Sequence, residues 1–262
     1  MSYETIRLDI DPRGIATVTL ARADKHNAMN ALMIRELREA AERLGNDAHV
    51  RAVILAAEGK TFCAGGDLGW MREQADKDRA GKMEEAGALA GMLGAWNALP
   101  KPVIARVQGA AYGGGLGLMA VADIVIAADT AKFALTETRL GLIPATIGPL
   151  VVAKLGPAFA RQVFFNAKPF GAEFALRSGL VARIEASDGL TAAVEEEAAA
   201  FLDCAPGAVA AAKALARKLA GSDPADLATM TANALADRWE TTEAQAGIAA
   251  FFAKESPPWR KG

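Results

Sequence analysis

KPVIARVQGAAYGGGLGLMAVADIVIAAD, residues 101–129, holds a strand, a glycine cluster, a helix and a second strand in one unbroken run. The β-branched residues of VIARV and IVIAA favour extended chain. GLGLMAVA between them has no polar face, which predicts a buried helix rather than a surface one. Strand, glycines, buried helix and strand in succession are the pattern of a sheet wound with helices, so the chain reads as α/β.

The same pattern stands upstream. FCAGGDLGW, residues 62–70, places two adjacent glycines between a strand-like run and a helical one. Further back, TIRLDI and GIATVTL are joined by DPRG, a turn that predicts an opening hairpin. MNALMIRELREAAERLG carries apolar residues at 29, 32, 33, 37, 40, 41 and 44, a helical spacing, and RAVILAAEG follows as a strand. A polar stretch, EQADKDRAGKMEE, leads into AGALAGMLGAWNALP, a helix stopped by Pro100. KFAL gives one more short strand. From Pro149 the character changes to alanine-rich helical segments, from PLVVAKLG through PADLATMTANALADRWE, and the only strand expected there is LVARIE. The division this suggests is a core over 1–195 and a helical C-terminal region over 196–262.

Composition narrows the function classes. The chain has 262 residues, 29 Lys and Arg against 31 Asp and Glu, and a net charge of −2, so nothing favours a nucleic-acid partner or an anionic membrane. The first residues, MSYETIRLDIDPRG, lack a basic segment followed by an apolar one, and no run reaches the length of a spanning helix. The expectation is a cytoplasmic protein with no membrane partner. Two cysteines, Cys63 and Cys204, and two histidines, His26 and His49, show no metal-ligand spacing, so no metal is expected.

Glycines between a strand and a helix let the backbone approach a ligand while free N–H groups point at it. Neither cluster has the Walker lysine, and GGGLGL lacks the third glycine of a dinucleotide loop. Two alternatives remain. The glycines serve tight turns, or Gly66 and Gly114 lend a pair of N–H groups to an oxyanion hole. Asp67 stands where a helix cap is common, and Cys63 has no local base, which suits a small packed side chain.

GKTFCAGGDLGWM, KPVIARVQGAAYGGGLGLMAVADIVIAADTAKFALTETRLGLIPATIG and ADKHNAMNALM together resemble the enoyl-CoA hydratase/isomerase, or crotonase, family, in order from about residue 5 to residue 185. Within it the pattern looks most like bacterial 3-methylglutaconyl-CoA hydratases. The resemblance implies a crotonase fold of repeated ββα turns, a helical C-terminal trimerisation region, and a homotrimer or dimer of trimers. It implies an acyl-CoA thioester as substrate, with coenzyme A arriving as part of it and no separate cofactor. It assigns the thioester oxygen to the N–H groups of Gly66 and Gly114. It places the CoA moiety along Lys25, Ala28, Ala64, Asp67 and Leu68, with Lys254 reaching it from the C-terminal helix.

Familiar hydratases use two glutamates. The resemblance supplies one, Glu137 of LTETRLG, while Gly117 stands where the other would be. Glu137 alone must then move the protons, its pKa raised by apolar neighbours. One carboxyl supports either hydration of a 2-enoyl thioester or isomerisation of a 3-enoyl thioester; a non-catalytic acyl-CoA-binding protein and a Clp-like hydrolase are the remaining alternatives. A dicarboxylic acyl group would want a cation, for which Arg139 is the expected partner.

Overall fold

The computed structural model describes residues 3–219 and 241–259. PADLATMTANALADRWE, expected to be helical, lies outside the described residues. An antiparallel hairpin opens the chain, β1 (Ile6–Ile10) against β2 (Ile15–Leu20), with Ile6 opposite Leu20. Helix α1 (Ala31–Asn46) follows, capped by the Asn30 side chain on the Met33 N–H at 2.9 Å.

Three turns of winding then build two sheets at once. β3 (Ala52–Ala57) and β4 (Thr61–Cys63) precede helices α2 (Leu68–Asp76) and α3 (Arg79–Ala98). β5 (Val103–Val107) and β6 (Ala110–Tyr112) precede α4 (Gly114–Val121). β7 (Ile124–Ala128) and β8 (Lys132–Ala134) precede a 3-10 turn, Glu137–Leu140, and α5 (Gly148–Val163). The first strand of each pair joins one sheet and the second joins the other. With β9 (Phe170–Gly171) and β10 (Arg183–Glu185), the orders are β1-β2-β3-β5-β7-β10 and β4-β6-β8-β9. Apart from the hairpin and the β8–β9 pair, neighbouring strands are parallel. This is the ββα repetition of the crotonase fold.

The large sheet is covered on both faces, and β3 is accordingly buried at every residue. On one face lie α1, α3 and α4, with Trp96 fully enclosed and its indole N–H donating to the Leu37 carbonyl at 2.9 Å. On the other, Ile15, Ile54, Ile104 and Ile126 pack under α7 (Leu190–Ala200). Residue 195, where the helical region was expected to take over, falls inside α7. After α6 (Ala172–Arg177) and α7, helices α8 (Pro206–Leu219) and α9 (Thr242–Ala253) are tied back to the core by Arg51. Its guanidinium donates to the carbonyls of Trp259 at 3.0 Å and Cys204 at 2.8 Å. Among the described residues no single helix is long and apolar enough to cross a membrane.

Two local expectations change. The polar stretch 73–85 is not a lead-in but helix on both sides of a break at Lys77 and Asp78, because the Asp78 side chain caps α3 through the Gly81 N–H at 2.8 Å. A further strand after Pro149, β9, pairs with β8 and brings the Phe170 ring within 5.6 Å of Phe133.

Candidate active site

Both glycine clusters sit where a strand of the small sheet gives way to a helix. Gly65 (φ 91°) and Gly113 (φ 46°) take backbone conformations that L side chains rarely adopt. They also face one another: a Cβ on Gly65 would lie 3.2 Å from the Tyr112 carbonyl oxygen, and one on Gly113 would lie 3.9 Å from the Gly65 Cα. The conformation of both residues, and the tight Gly65–Tyr112 approach, favour glycine here.

That approach frees two amides. Met29 bridges the first loop, donating to the Gly65 carbonyl at 2.7 Å and accepting from the Asp67 N–H at 2.8 Å. In such a parallel bridge Gly66, between the two bonded residues, turns its own N–H away from Met29. Gly114 is the first residue of α4, where an N–H has no partner within the helix. Both residues line one cavity of about 920 Å³, and Glu137 lines it with them.

Glu137 opens the 3-10 turn after β8. Its Oε1 would lie 3.1 Å from a Cβ on Gly113, so its carboxyl rests directly against the second glycine loop. Oε2 is enclosed and has no hydrogen-bond partner. Burial raises the Glu137 pKa above the ordinary carboxylate value, against a smaller opposing effect of its own backbone N–H. A half-buried acid with an uncommitted oxygen, beside two uncommitted amides, is equipped to move a proton next to a developing oxyanion.

Gly117, one turn into α4, is not an empty place awaiting an acid. A Cβ there would stand 2.7 Å from Ile147 Cγ2 and 3.2 Å from Leu93 Cδ1. Ile147 is buried and also lines the cavity, so hydrocarbon fills the position.

Of the residues expected to hold CoA, Ala64 and Leu68 line the cavity, Leu68 being 74% exposed at its mouth. Lys25, exposed, and Ala28, buried, belong to the loop that feeds Met29 and whose His26 carbonyl accepts from the Ala64 N–H at 3.0 Å. The Asp67 carboxylate is committed elsewhere: it caps α2 through Gly69 N–H at 2.8 Å and pairs with Arg22 at 3.0 Å. Burial pushes its pKa up, but the bonds from Trp70, Arg22 and Gly69 outweigh that and hold it below the usual range. Lys254 is exposed where α9 ends. Arg139 is exposed on its turn and does not line the cavity; Lys82 of α3 does.

The wall formed by α2 and α3 holds a group that the sequence reading passed over. Both amide atoms of Gln74 are enclosed without a hydrogen-bond partner. An unpaired buried amide costs about 1–3 kcal/mol per group. Its neighbour Glu85 is fully engaged by Lys77 and by the Trp70 indole N–H at 3.2 Å. The Lys77 bond holds Glu85 below the ordinary carboxylate range against the opposing effect of burial; Gln74 adds only a weak pull, short of hydrogen-bond geometry. No motif marks Gln74 or Ile147, which look like ordinary polar-stretch and loop residues in the sequence.

Other nucleophile readings lose ground. The Cys63 thiol is pushed up to about 12 by burial. His26 meets Thr61 Oγ1 at 3.1 Å on an exposed turn, not a serine, and His49 is exposed.

The family model for enoyl-CoA hydratase/isomerase matches residues 11–262. A "Probable enoyl-CoA hydratase" of Rhizobium meliloti is 34% identical over 99% of each chain, and one of Rhodobacter capsulatus is 37% identical over 98% of each. The crystal structure of an enoyl-CoA hydratase from Shewanella pealeana superposes with a TM-score of 0.94 at 37% identity, covering 98% of this chain and 96% of that one. With a family match spanning nearly the whole chain and the ββα winding it entails, this protein belongs to the enoyl-CoA hydratase/isomerase, or crotonase, family.

Proposed function

We propose that the chain hydrates a short or branched 2-enoyl-CoA, with 3-methylglutaconyl-CoA the specific candidate, using Glu137 as its single proton-transfer group. The observation that carries this reading is the uncommitted Glu137 carboxyl resting against Gly113 in the same cavity as Gly66 and Gly114. Ionised Glu137 takes a proton from water as its oxygen attacks the β-carbon. The C=C electron pair moves to the thioester oxygen, and the Gly66 and Gly114 amides hold that enolate, aided by the positive end of α4. Protonated Glu137 then returns the proton to the α-carbon as the carbonyl re-forms. Its raised pKa suits a group that must act as base and acid in turn.

The CoA moiety runs along the loops of Lys25, Ala28, Ala64 and Leu68. Asp67 shapes that path as the cap of α2, and Lys254 contributes charge from α9 of its own or a neighbouring chain. The same reading includes a cytoplasmic homotrimer or dimer of trimers.

The hydrocarbon at Gly117 favours a second reading, isomerisation of a 3-enoyl-CoA, which needs no held water: Glu137 removes the α-proton and delivers it to the γ-carbon. Incubation with 2-enoyl, 3-enoyl and 3-methylglutaconyl thioesters separates the two by product mass. A gain of one water is the expected result, and rearrangement at constant mass selects isomerisation. Glu137→Gln is expected to lower kcat by about 10²–10⁴. Wild-type protein that binds CoA yet converts no thioester would identify a binding protein and overturn the enzymatic reading.

A further inference from the structure

We propose that Gln74 determines acyl specificity, selecting acyl groups that carry an oxygen on their distal half over hydrocarbon chains of equal length. This rests on the reading of the cavity as a CoA-thioester site. The cavity lining is chemically of two kinds. Gly66, Gly114 and Glu137 stand where the thioester would react; Trp70, Gln74, Glu85, Ala86 and Leu89 line the wall given by α2 and α3, which starts beside Gly66.

Along that wall the polar groups are unequal. Glu85 has its oxygens occupied by Lys77 and Trp70. Gln74 has neither amide atom occupied, and both are shut off from solvent. A hydrocarbon tail would leave that donor and acceptor as they are. A tail ending in a hydroxyl, carbonyl or carboxyl supplies an acceptor for the Nε2 hydrogens, and a hydroxyl supplies a donor for Oε1 as well. Gln74 lines the cavity, and rotation about its soft terminal torsion exchanges the places of its oxygen and nitrogen without moving α2. The exposed Lys82 ammonium on the same side adds a preference for a carboxylate, while the charged Glu85 opposes it, so the oxygen rather than its charge is the shared feature.

Saturated thioesters test this without turnover. Calorimetric titration with hexanoyl-CoA, 5-hydroxypentanoyl-CoA, glutaryl-CoA and free CoA compares tails of similar length. Wild type is expected to bind at least one oxygenated tail about 10-fold more tightly than hexanoyl-CoA, the ratio that one net hydrogen bond supplies. Gln74→Leu is expected to abolish that ratio while leaving free CoA affinity unchanged, and Gln74→Asn to restore part of it. The hydroxyl and carboxylate arms report which oxygen is preferred. Equal binding of all three tails by wild type, or equal weakening of all three by Gln74→Leu, overturns the role of Gln74 and leaves the thioester site standing. Failure of wild type to bind free CoA or any acyl-CoA removes both.

Discussion

At Gly117 the absence of a side chain is enforced from outside. Ile147 Cγ2 and Leu93 Cδ1 occupy the space that the first atom of any side chain would need. Gly117→Glu is therefore expected to destabilise the fold by about 1–3 kcal/mol through overpacking, despite glutamate's better helix propensity, as read from denaturant midpoints. Adding Ile147→Ala should relieve part of that loss; additive penalties in the double variant would show that the two positions do not compete for one space. The contrast with Glu137 explains what could be read in advance. Gly66 and Gly114 could be named in advance because each glycine cluster stands between a strand and a helix, and Glu137 because the family resemblance marks its place; all three line one cavity. Ile147 and Gln74 could not, since an isoleucine that fills a gap and a glutamine without partners acquire those properties only from neighbours distant in sequence.

Among the elements, α4 shows how one helix is held at both ends. Its first residue contributes to the glycine pair, while at its other end Lys154 of α5 donates to the Met119 carbonyl at 3.3 Å and to the Ala122 carbonyl. A cation at a helix C-terminus is favourable. Burial nevertheless dominates and lowers the Lys154 pKa to about 8, with Asp123 acting to raise it and Lys213 to lower it. Because the unfolded chain binds that proton more tightly, stability rises with pH between about 8 and the ordinary lysine value of 10.5. The contribution is at most about 3 kcal/mol. The wild-type minus Lys154→Met stability difference should grow across that window in urea titrations, and a flat difference would exclude the assignment. The alternating strands and buried α4 were readable from pattern because hydrophobic burial imposes it on the sequence. The N-terminal part of α3 was not, because 79–85 is polar and starts from the Asp78 cap. β9 has only two residues, too few to leave a periodicity.

For the molecule as a whole, Arg51 joins the end of the chain to its beginning. Standing one residue before β3, it donates to carbonyls at Phe201, Leu202, Cys204 and Trp259. Arg51→Ala should leave those acceptors short of partners, at about 1–3 kcal/mol for each one that water does not reach. Limited proteolysis is expected to cut between α7 and α8 sooner in the variant, with the sheet core resistant; unchanged cleavage would mean that the clamp is dispensable. The cavity, too, is a whole-molecule construction, with reacting groups on loops at the ends of small-sheet strands and at the 3-10 turn after β8, and further lining from α2 and α3. Gly114 and Glu137 belong to a different stretch of chain from α2 and α3, so the proton chemistry and that part of the lining can be inherited separately. A transplant of residues 68–89 between relatives would carry the acyl preference across and leave the host's proton chemistry in place, which gives such a fold a way to diversify its substrates without reinventing its reaction.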